Sequence, residues 1–233
     1  MTGLAVGPPR RIGLLVPSSN TCMETDFFRH APVGWTVHTA RMYMEDATVE
    51  GETRMLDEFV FPAARDVATA RPGVIVFGCT SAGALRGNPY DAWLTHEISQ
   101  RTGIPTVSVI KAVRDSLRAL SARRLVVVTP YVDELNARIK ASLEEDGASV
   151  LRIAGLAIAE NFAIARVAGQ RIIDLAREAA GGLRPDALFV SCTNFPAMNV
   201  LNELRSLLSL PVVTSNQAAL DAAIAVAEVR NAA

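Results

Sequence analysis

The sequence predicts an α/β protein made of two similar halves, each a parallel sheet covered by helices. Short β-rich apolar runs alternate with helix-length amphipathic segments, two pairs of strand runs repeat at one common offset, and nothing resembling a flexible linker separates the halves. With 233 residues, half of them apolar, the chain has enough material for a substantial core, either as one large domain or as two compact ones.

The β-rich runs are Ile12 to Val16, Val74 to Phe77, Thr106 to Ile110, Leu125 to Thr129, Val150 to Ile153, Ala187 to Val190 and Pro211 to Thr214. Helix signals fall between most of them. Gly51 to Ala70 carries Met55, Phe59 and Ala63 at four-residue spacing, and Asp133 to Glu145 carries Leu135, Ile139 and Leu143 likewise. The run Arg11-Ile-Gly-Leu-Leu-Val-Pro17 matches Arg124-Leu-Val-Val-Val-Thr-Pro130, and Val74-Ile-Val-Phe-Gly-Cys-Thr80 matches Ala187-Leu-Phe-Val-Ser-Cys-Thr193, both offset by 113 positions. Apolar strands share composition, so one such match is weak; two at the same offset indicate a duplication in which each half bears a Cys-Thr at a strand end. A further match in kind, Gly103-Ile-Pro-Thr-Val-Ser-Val against Ser209-Leu-Pro-Val-Val-Thr-Ser, follows at an offset of 106, which reads as a loop deletion.

Composition narrows the function classes. Charged residues are 20% of the chain and nearly cancel, with a formal net charge of -1, so nucleic acid and anionic membranes are not expected partners. The N-terminus shows no signal segment and no apolar run approaches a bilayer span, so a cytoplasmic location is the default expectation. Cys22, Cys79 and Cys192 form neither a CxxC pair nor a disulfide framework, and His30, His38 and His96 stand at no ligand spacing from them; free thiols and no metal site are expected. No GxGxxG follows a strand and no GxxxxGK[ST] occurs, which gives no signal for a nucleotide cofactor. The expectation is a chemistry that uses no cofactor.

In open parallel sheets, ligands bind beyond the carboxyl ends of the strands, where Cys79 and Cys192 are placed. Unpaired backbone N–H groups and a helix dipole there are expected to lower the thiol pKa. One such cysteine is ordinarily a buried bystander; two at corresponding positions of a repeat point to function. The segment Val16-Pro-Ser-Ser-Asn-Thr21 reads either as a turn and N-cap or as a cradle for a carboxylate, with Ser19 and Asn20 as donors. Thr80 and Ser81 beside the first cysteine, and Thr193-Asn194 beside the second, offer more donors. Glu24 and Asp26 read as first-turn acids complementing a helix dipole, Cys22 as a packing residue, and the histidines as solvated or structural.

Three strings together, Gly13-Leu-Leu-Val-Pro-Ser-Ser-Asn-Thr-Cys-Met-Glu-Thr-Asp26, Phe77-Gly-Cys-Thr-Ser-Ala-Gly83 and Ser191-Cys-Thr-Asn-Phe-Pro196, resemble the maleate isomerases of the aspartate/glutamate racemase superfamily over essentially the whole chain. The resemblance implies two Rossmann-like lobes related by a pseudo-twofold axis, with the active site in the cleft between them. It places residues 1–110 plus 211–233 in the first lobe and 111–210 in the second. By motif, it implies Asn20 on one substrate carboxylate, Asn161 of Ala-Glu-Asn on the other, Tyr131 of Thr-Pro-Tyr as a hydrogen-bond donor, Cys79 as nucleophile and Cys192 as its acid/base partner. Without it, Tyr131 would be a turn tyrosine and Asn161 a cap or surface amide.

The implied reaction is maleate-to-fumarate isomerisation by thiol addition, bond rotation and elimination, on a small dicarboxylate; homo-oligomerisation stays open. Two cysteines also suit an amino-acid or hydantoin racemase, although the sequence offers no identifiable ammonium partner. An arylmalonate decarboxylase is a second alternative, but that branch has glycine at the first cysteine position. A non-catalytic carboxylate-binding protein, or thiols serving redox signalling, is the third.

Overall fold

The computed structural model describes residues 10–232. The first half runs β1 (Arg10–Pro17), α1 (Met23–His30), β2 (Trp35–Met42), α2 (Val49–Arg54), α3 (Val60–Ala68), β3 (Val74–Phe77), α4 (Thr80–Leu85), α5 (Asn88–Thr102), β4 (Thr106–Ser108) and α6 (Val109–Ala119). The second half runs β5 (Arg124–Thr129), α7 (Asp133–Glu145), β6 (Ser149–Gly155), α8 (Asn161–Ile164), α9 (Gly169–Ala180), β7 (Ala187–Val190), α10 (Leu201–Leu208), β8 (Val212–Thr214) and α11 (Ser215–Ala232).

Two four-stranded sheets result, ordered β2-β1-β3-β4 and β6-β5-β7-β8, with every pairing parallel. The orders are the same under the repeat, which is the duplication the matching offset predicts. β1, β3, β5 and β7 are the inner strands, and their apolar runs are buried because helices cover both faces. The predicted helices form as well, Asp133–Glu145 at those bounds, and the first as α2 and α3 joined through a π-helical turn, Met55–Phe59.

Sequence reasoning misses β2 entirely. Trp35–Met42 is an edge strand, paired on one side only, and contains His38 and Arg41, so it lacks the continuous apolar run that marks an inner strand. The run from Thr106 to Ile110 is a strand only to Ser108, whose hydroxyl then caps α6 by accepting from the Lys111 amide at 3.2 Å.

The last strand also differs from expectation. Val212–Thr214, expected in the first lobe with the rest of 211–233, pairs with β7 in the second sheet. Only α11 crosses over, packing on α6 and β3 and carrying Glu228 to Arg10 at 3.1 Å. α6 crosses the other way, with Arg114 bonded to Asp146 at the end of α7 at 2.8 Å. The helices that follow β4 and β8 thus each pack on the other half's sheet. Among the described residues, no helix is long and apolar enough to cross a membrane.

Candidate active site

The two cysteine loops meet because the sheets place the ends of β3 and β7 face to face. Gly78 permits the approach on the first side: a Cβ there would lie 2.6 Å from the Leu15 carbonyl oxygen and 2.8 Å from the Met23 sulfur. Its own carbonyl accepts from the Thr193 hydroxyl at 3.0 Å, and that hydroxyl accepts from the Asn20 amide at 2.9 Å. Ser215, the first residue of α11, makes a second cross-link, accepting from the Cys192 amide at 3.0 Å and from the Thr80 hydroxyl at 2.9 Å. One hydroxyl therefore holds both cysteine loops.

Three further loops close around this centre. Asn20 caps α1 through Oδ1, accepting from the amides of Cys22 and Met23 at 3.1 and 3.0 Å. Asn194 Oδ1 accepts from the Thr21 amide at 2.8 Å, while its Nδ2 donates to the Asn161 carbonyl at 2.7 Å. Asn161 Nδ2 donates to Ser19 Oγ at 2.8 Å, whose hydroxyl donates to the Met44 carbonyl at 2.6 Å. The loops after β2 and β6 are joined by Ala47 N–H to the Ala159 carbonyl at 2.7 Å and Asn161 N–H to the Glu45 carbonyl at 3.1 Å. Both thiols are 5% exposed, and Tyr131 and Asn161 are buried, so the cleft is shut over its reactive groups.

The structure brings the residues picked out by sequence together: Asn161 bonds Ser19, Asn20 bonds Thr193, Thr80 is tied to the Cys192 loop through Ser215, Ser81 lies 3.9 Å from Cys79 Sγ, and Tyr131 senses both thiols. Several of their hydrogen bonds are made to one another, so a ligand has to exchange partners with them. The Thr80 hydroxyl donates to Ser215 and the Ser81 hydroxyl to Glu52.

The electrostatics overturn one expectation. Neither thiol is lowered: burial pushes Cys79 well above its usual value, helped by the nearby Glu52 carboxyl, and burial pushes Cys192 up to about 12. Backbone donors act in the expected direction, from Ala82 on Cys79 and from Asn194 and Phe195 on Cys192, but removal of water from a closed cleft outweighs them. The Tyr131 hydroxyl also favours the Cys192 anion, and Cys192 has a φ of 101°, a left-handed conformation that a non-glycine residue adopts only when its surroundings enforce it.

Four residues escape the sequence reading or change meaning. Glu52 is fully buried against Ser81 on α2, at the i, i+3, i+4 positions of a buried stripe with Met55 and Leu56; a carboxylate on an apolar face is the signal that could have found it. Ser215 opens a helix and looks from sequence like an N-cap. Asn216 donates to Asp26 at 2.7 Å and to the Thr193 carbonyl at 3.0 Å. Asp26 is therefore a buried partner behind the second cysteine loop, whereas Glu24 pairs with Arg41 at 2.7 Å near the surface. Among the described residues, no group of three or more His, Cys, Asp or Glu side chains could hold a metal ion.

The sequence model of the arylmalonate decarboxylase family matches residues 12–233. A maleate isomerase of Geobacillus stearothermophilus is 27% identical over 218 residues, 88% of this chain and 86% of that protein. An arylmalonate decarboxylase of Bordetella bronchiseptica is 30% identical over 210 residues, 89% of this chain and 86% of that one. Among solved structures, a cysteine-to-serine variant of the Nocardia farcinica maleate cis–trans isomerase, with a covalently bound succinylcysteine intermediate, superposes with a TM-score of 0.85 at 26% identity. It covers 94% of this chain and 93% of that one.

Proposed function

The chain belongs to the arylmalonate decarboxylase family, which places it among enzymes, and from that premise we propose that it isomerises maleate to fumarate through its two cleft thiols. The carrying observation is that a thiol stands at both repeat-related strand ends, Cys79 after β3 and Cys192 after β7, buried in the same cleft. A decarboxylating relative of the kind the sequence resembles has glycine at the first of these positions. The succinylcysteine seen in the Nocardia farcinica isomerase variant is the intermediate that such a pair would form.

Rotation about the central double bond of maleate requires that bond to become single. The two sulfurs carry one proton between them, which passes from Cys79 to Cys192; Cys79 Sγ, then a thiolate, adds to one olefinic carbon, and the S–C bond forms as the π pair moves to the other carbon, where the adjoining carboxylate shares the charge. The Cys192 thiol donates its proton to that carbon, leaving a thiolate held by Tyr131 and the Asn194 amide. After rotation, Cys192 takes the proton back, the double bond reforms and the C–S bond breaks, releasing fumarate. The two sulfurs begin and end with one proton and one negative charge between them; in the succinyl intermediate the proton is on the substrate carbon and the charge is on Cys192. Asn20, Ser19 and Asn161 are the neutral donors that would hold the carboxylates once they exchange their present partners.

Incubating the protein with maleate and following the olefinic proton signals by NMR, with nothing else added, tests the reading. Growth of the fumarate signal is expected. Inert maleate, together with loss of carboxylate from an arylmalonate under the same conditions, would assign the chain to the decarboxylating reaction of its relatives instead.

A further inference from the structure

Glu52 is a buried carboxyl in the reactive centre for which the isomerisation scheme has no task. It lies on α2, whose face packs on α4, and its Oε1 accepts the Ser81 hydroxyl, which itself lies 3.9 Å from Cys79 Sγ. Its other oxygen, Oε2, is buried and has no hydrogen-bond partner in the protein. Buried polar atoms almost always have a partner, so an unpaired oxygen in a cleft marks a position that a ligand completes.

Whether that oxygen offers or accepts a hydrogen depends on the charge it can hold. The groups facing it are Cys79 at the end of β3, Tyr131 after β5 and Cys192 after β7, all of which sense its charge. None of these is a cation. On its own helix, Glu50 and Arg54 point to solvent. An ionised Glu52 would therefore stand without a counter-charge beside a thiol that must itself become an anion and, on the proposed reading, beside a dianionic substrate. Burial drives the carboxyl up to about 8, only partly offset by Ser81.

We propose that Glu52 is a specificity-determining residue of the cleft, whose Oε2 bears a proton and donates a hydrogen bond to a carboxylate oxygen of the bound dicarboxylate, beside Cys79. A carboxylic acid kept neutral by dry surroundings is a donor that carries no charge into the site. The assignment rests on the dicarboxylate reading and adds to it a pH limit: ligand binding weakens as pH rises through about 8, because Glu52 then turns from donor to anion.

The test uses Cys79→Ser protein, expected to turn maleate over too slowly to disturb a binding measurement, alone and combined with Glu52→Gln or Glu52→Leu. Maleate binding is measured by calorimetry from about pH 6 to about pH 9, and infrared difference spectra are recorded at neutral pH. In the parent, affinity is expected to fall by about tenfold per pH unit above the Glu52 titration. The Gln variant, neutral and still a donor, flattens that fall. Leu, which removes the donor, weakens binding by roughly 10-fold to 100-fold at neutral pH. A carboxylic-acid C=O band should be present in the parent and absent from the Gln variant, which is close enough in shape to fold if Leu does not. Absence of that band, or affinity that stays level or rises through pH 8 in the parent, overturns the proposal. A band present while maleate binds at no pH instead overturns the dicarboxylate reading and, with it, the ligand assigned to Glu52.

Discussion

The two cysteine loops begin from the same strand position in the repeat and end in different chemistry. Cys79 has an extended backbone, φ -136° and ψ 116°, and caps α4 directly; beyond it stand Ser81 and the Glu52 carboxyl, which opposes its ionisation. Cys192 is held at φ 101°, its sulfur accepts from the Asn194 amide at 3.3 Å, and the Tyr131 hydroxyl favours its anion. Duplication supplied two thiols, and divergence of their neighbours set Glu52 foremost among the groups opposing the Cys79 anion and the Tyr131 hydroxyl foremost among those supporting the Cys192 anion. Cys192 is the sulfur whose anion is supported, as an acid that must wait as thiolate through a bond rotation requires. Cys79 is the sulfur whose anion burial disfavours most, with only the Ala82 amide and Ser81 hydroxyl to offset it, which favours its use in forming a bond.

The largest expected effect breaks the comparison outright. Cys79→Ser and Cys192→Ser should each lower kcat/KM for maleate by roughly 10^3-fold or more, since a serine hydroxyl stays protonated where a thiol can ionise. They should differ in what accumulates. Cys192→Ser protein mixed with maleate should show a succinyl-sized mass increase on the peptide containing Cys79, because addition survives while elimination is slowed. The same increase confined to the Cys192 peptide in Cys79→Ser protein would reverse the roles.

The next effect concerns stability and isolates the carboxyl that is hydrogen-bonded to the first loop through Ser81. The Glu52 pKa is raised from 4.5 to about 8, so over that range the native state holds a proton that the unfolded chain has released. The Glu52 contribution to stability is fully present below about pH 4.5 and falls as pH rises toward 8, by about 1.4 kcal/mol per unit and on the order of 5 kcal/mol in all. Asp91, raised to about 6, and Asp26 contribute in the same direction at the acid end, so urea unfolding should show a slope between about pH 6 and about pH 8 in the parent protein that Glu52→Gln flattens. An unchanged slope in the variant would place the titration elsewhere.

Ser215 joins what the comparison separates. Ser215→Ala strands the Cys192 amide and frees Thr80, and a buried donor left without a partner costs about 1–3 kcal/mol. Because the strained Cys192 conformation depends on that bond, kcat should fall by about tenfold or more while KM changes little. Ser215→Thr, which keeps the hydroxyl, should recover part of the loss. A KM effect alone would assign Ser215 to substrate binding.

The parts of this design that were legible in the sequence are those written as apolar runs and short motifs. The strands β1, β3, β5 and β7, the repeat and the two Cys-Thr ends all announce themselves, because inner parallel strands must be apolar throughout. β2 does not, since an edge strand is free to carry His38 and Arg41. Glu52 was hidden inside a helix whose stripe is otherwise apolar, and its meaning arises only when α2 packs on α4. Ser215 was hidden because its partners lie 23 and 135 positions away. The direction of the thiol shifts was misread for a related reason: strand-end donors can be seen in sequence, but the loops that exclude water from them cannot.

The smallest expected effect sharpens the comparison from outside the pair. Cys22 is a third thiol, half-buried at the start of α1, and its pKa is pushed up to about 12 by burial first, then by Asp26 and Cys192. It is thus near enough to sense the second cysteine, yet it has no counterpart role in the addition and stands outside the hydrogen bonds joining the two loops. Its amide, not its sulfur, is what Asn20 and Asn194 use. Cys22→Ala keeps that amide and should leave kcat and KM within about twofold, the usual scale for a partly exposed side chain with no special partner. The alanine protein is also the cleaner background for adduct mapping, because mass increases can then fall only on Cys79 or Cys192. Loss of activity by tenfold or more would mean that proton transfer at Cys192 passes through a third sulfur, and the division of labour between two thiols would have to be redrawn among three.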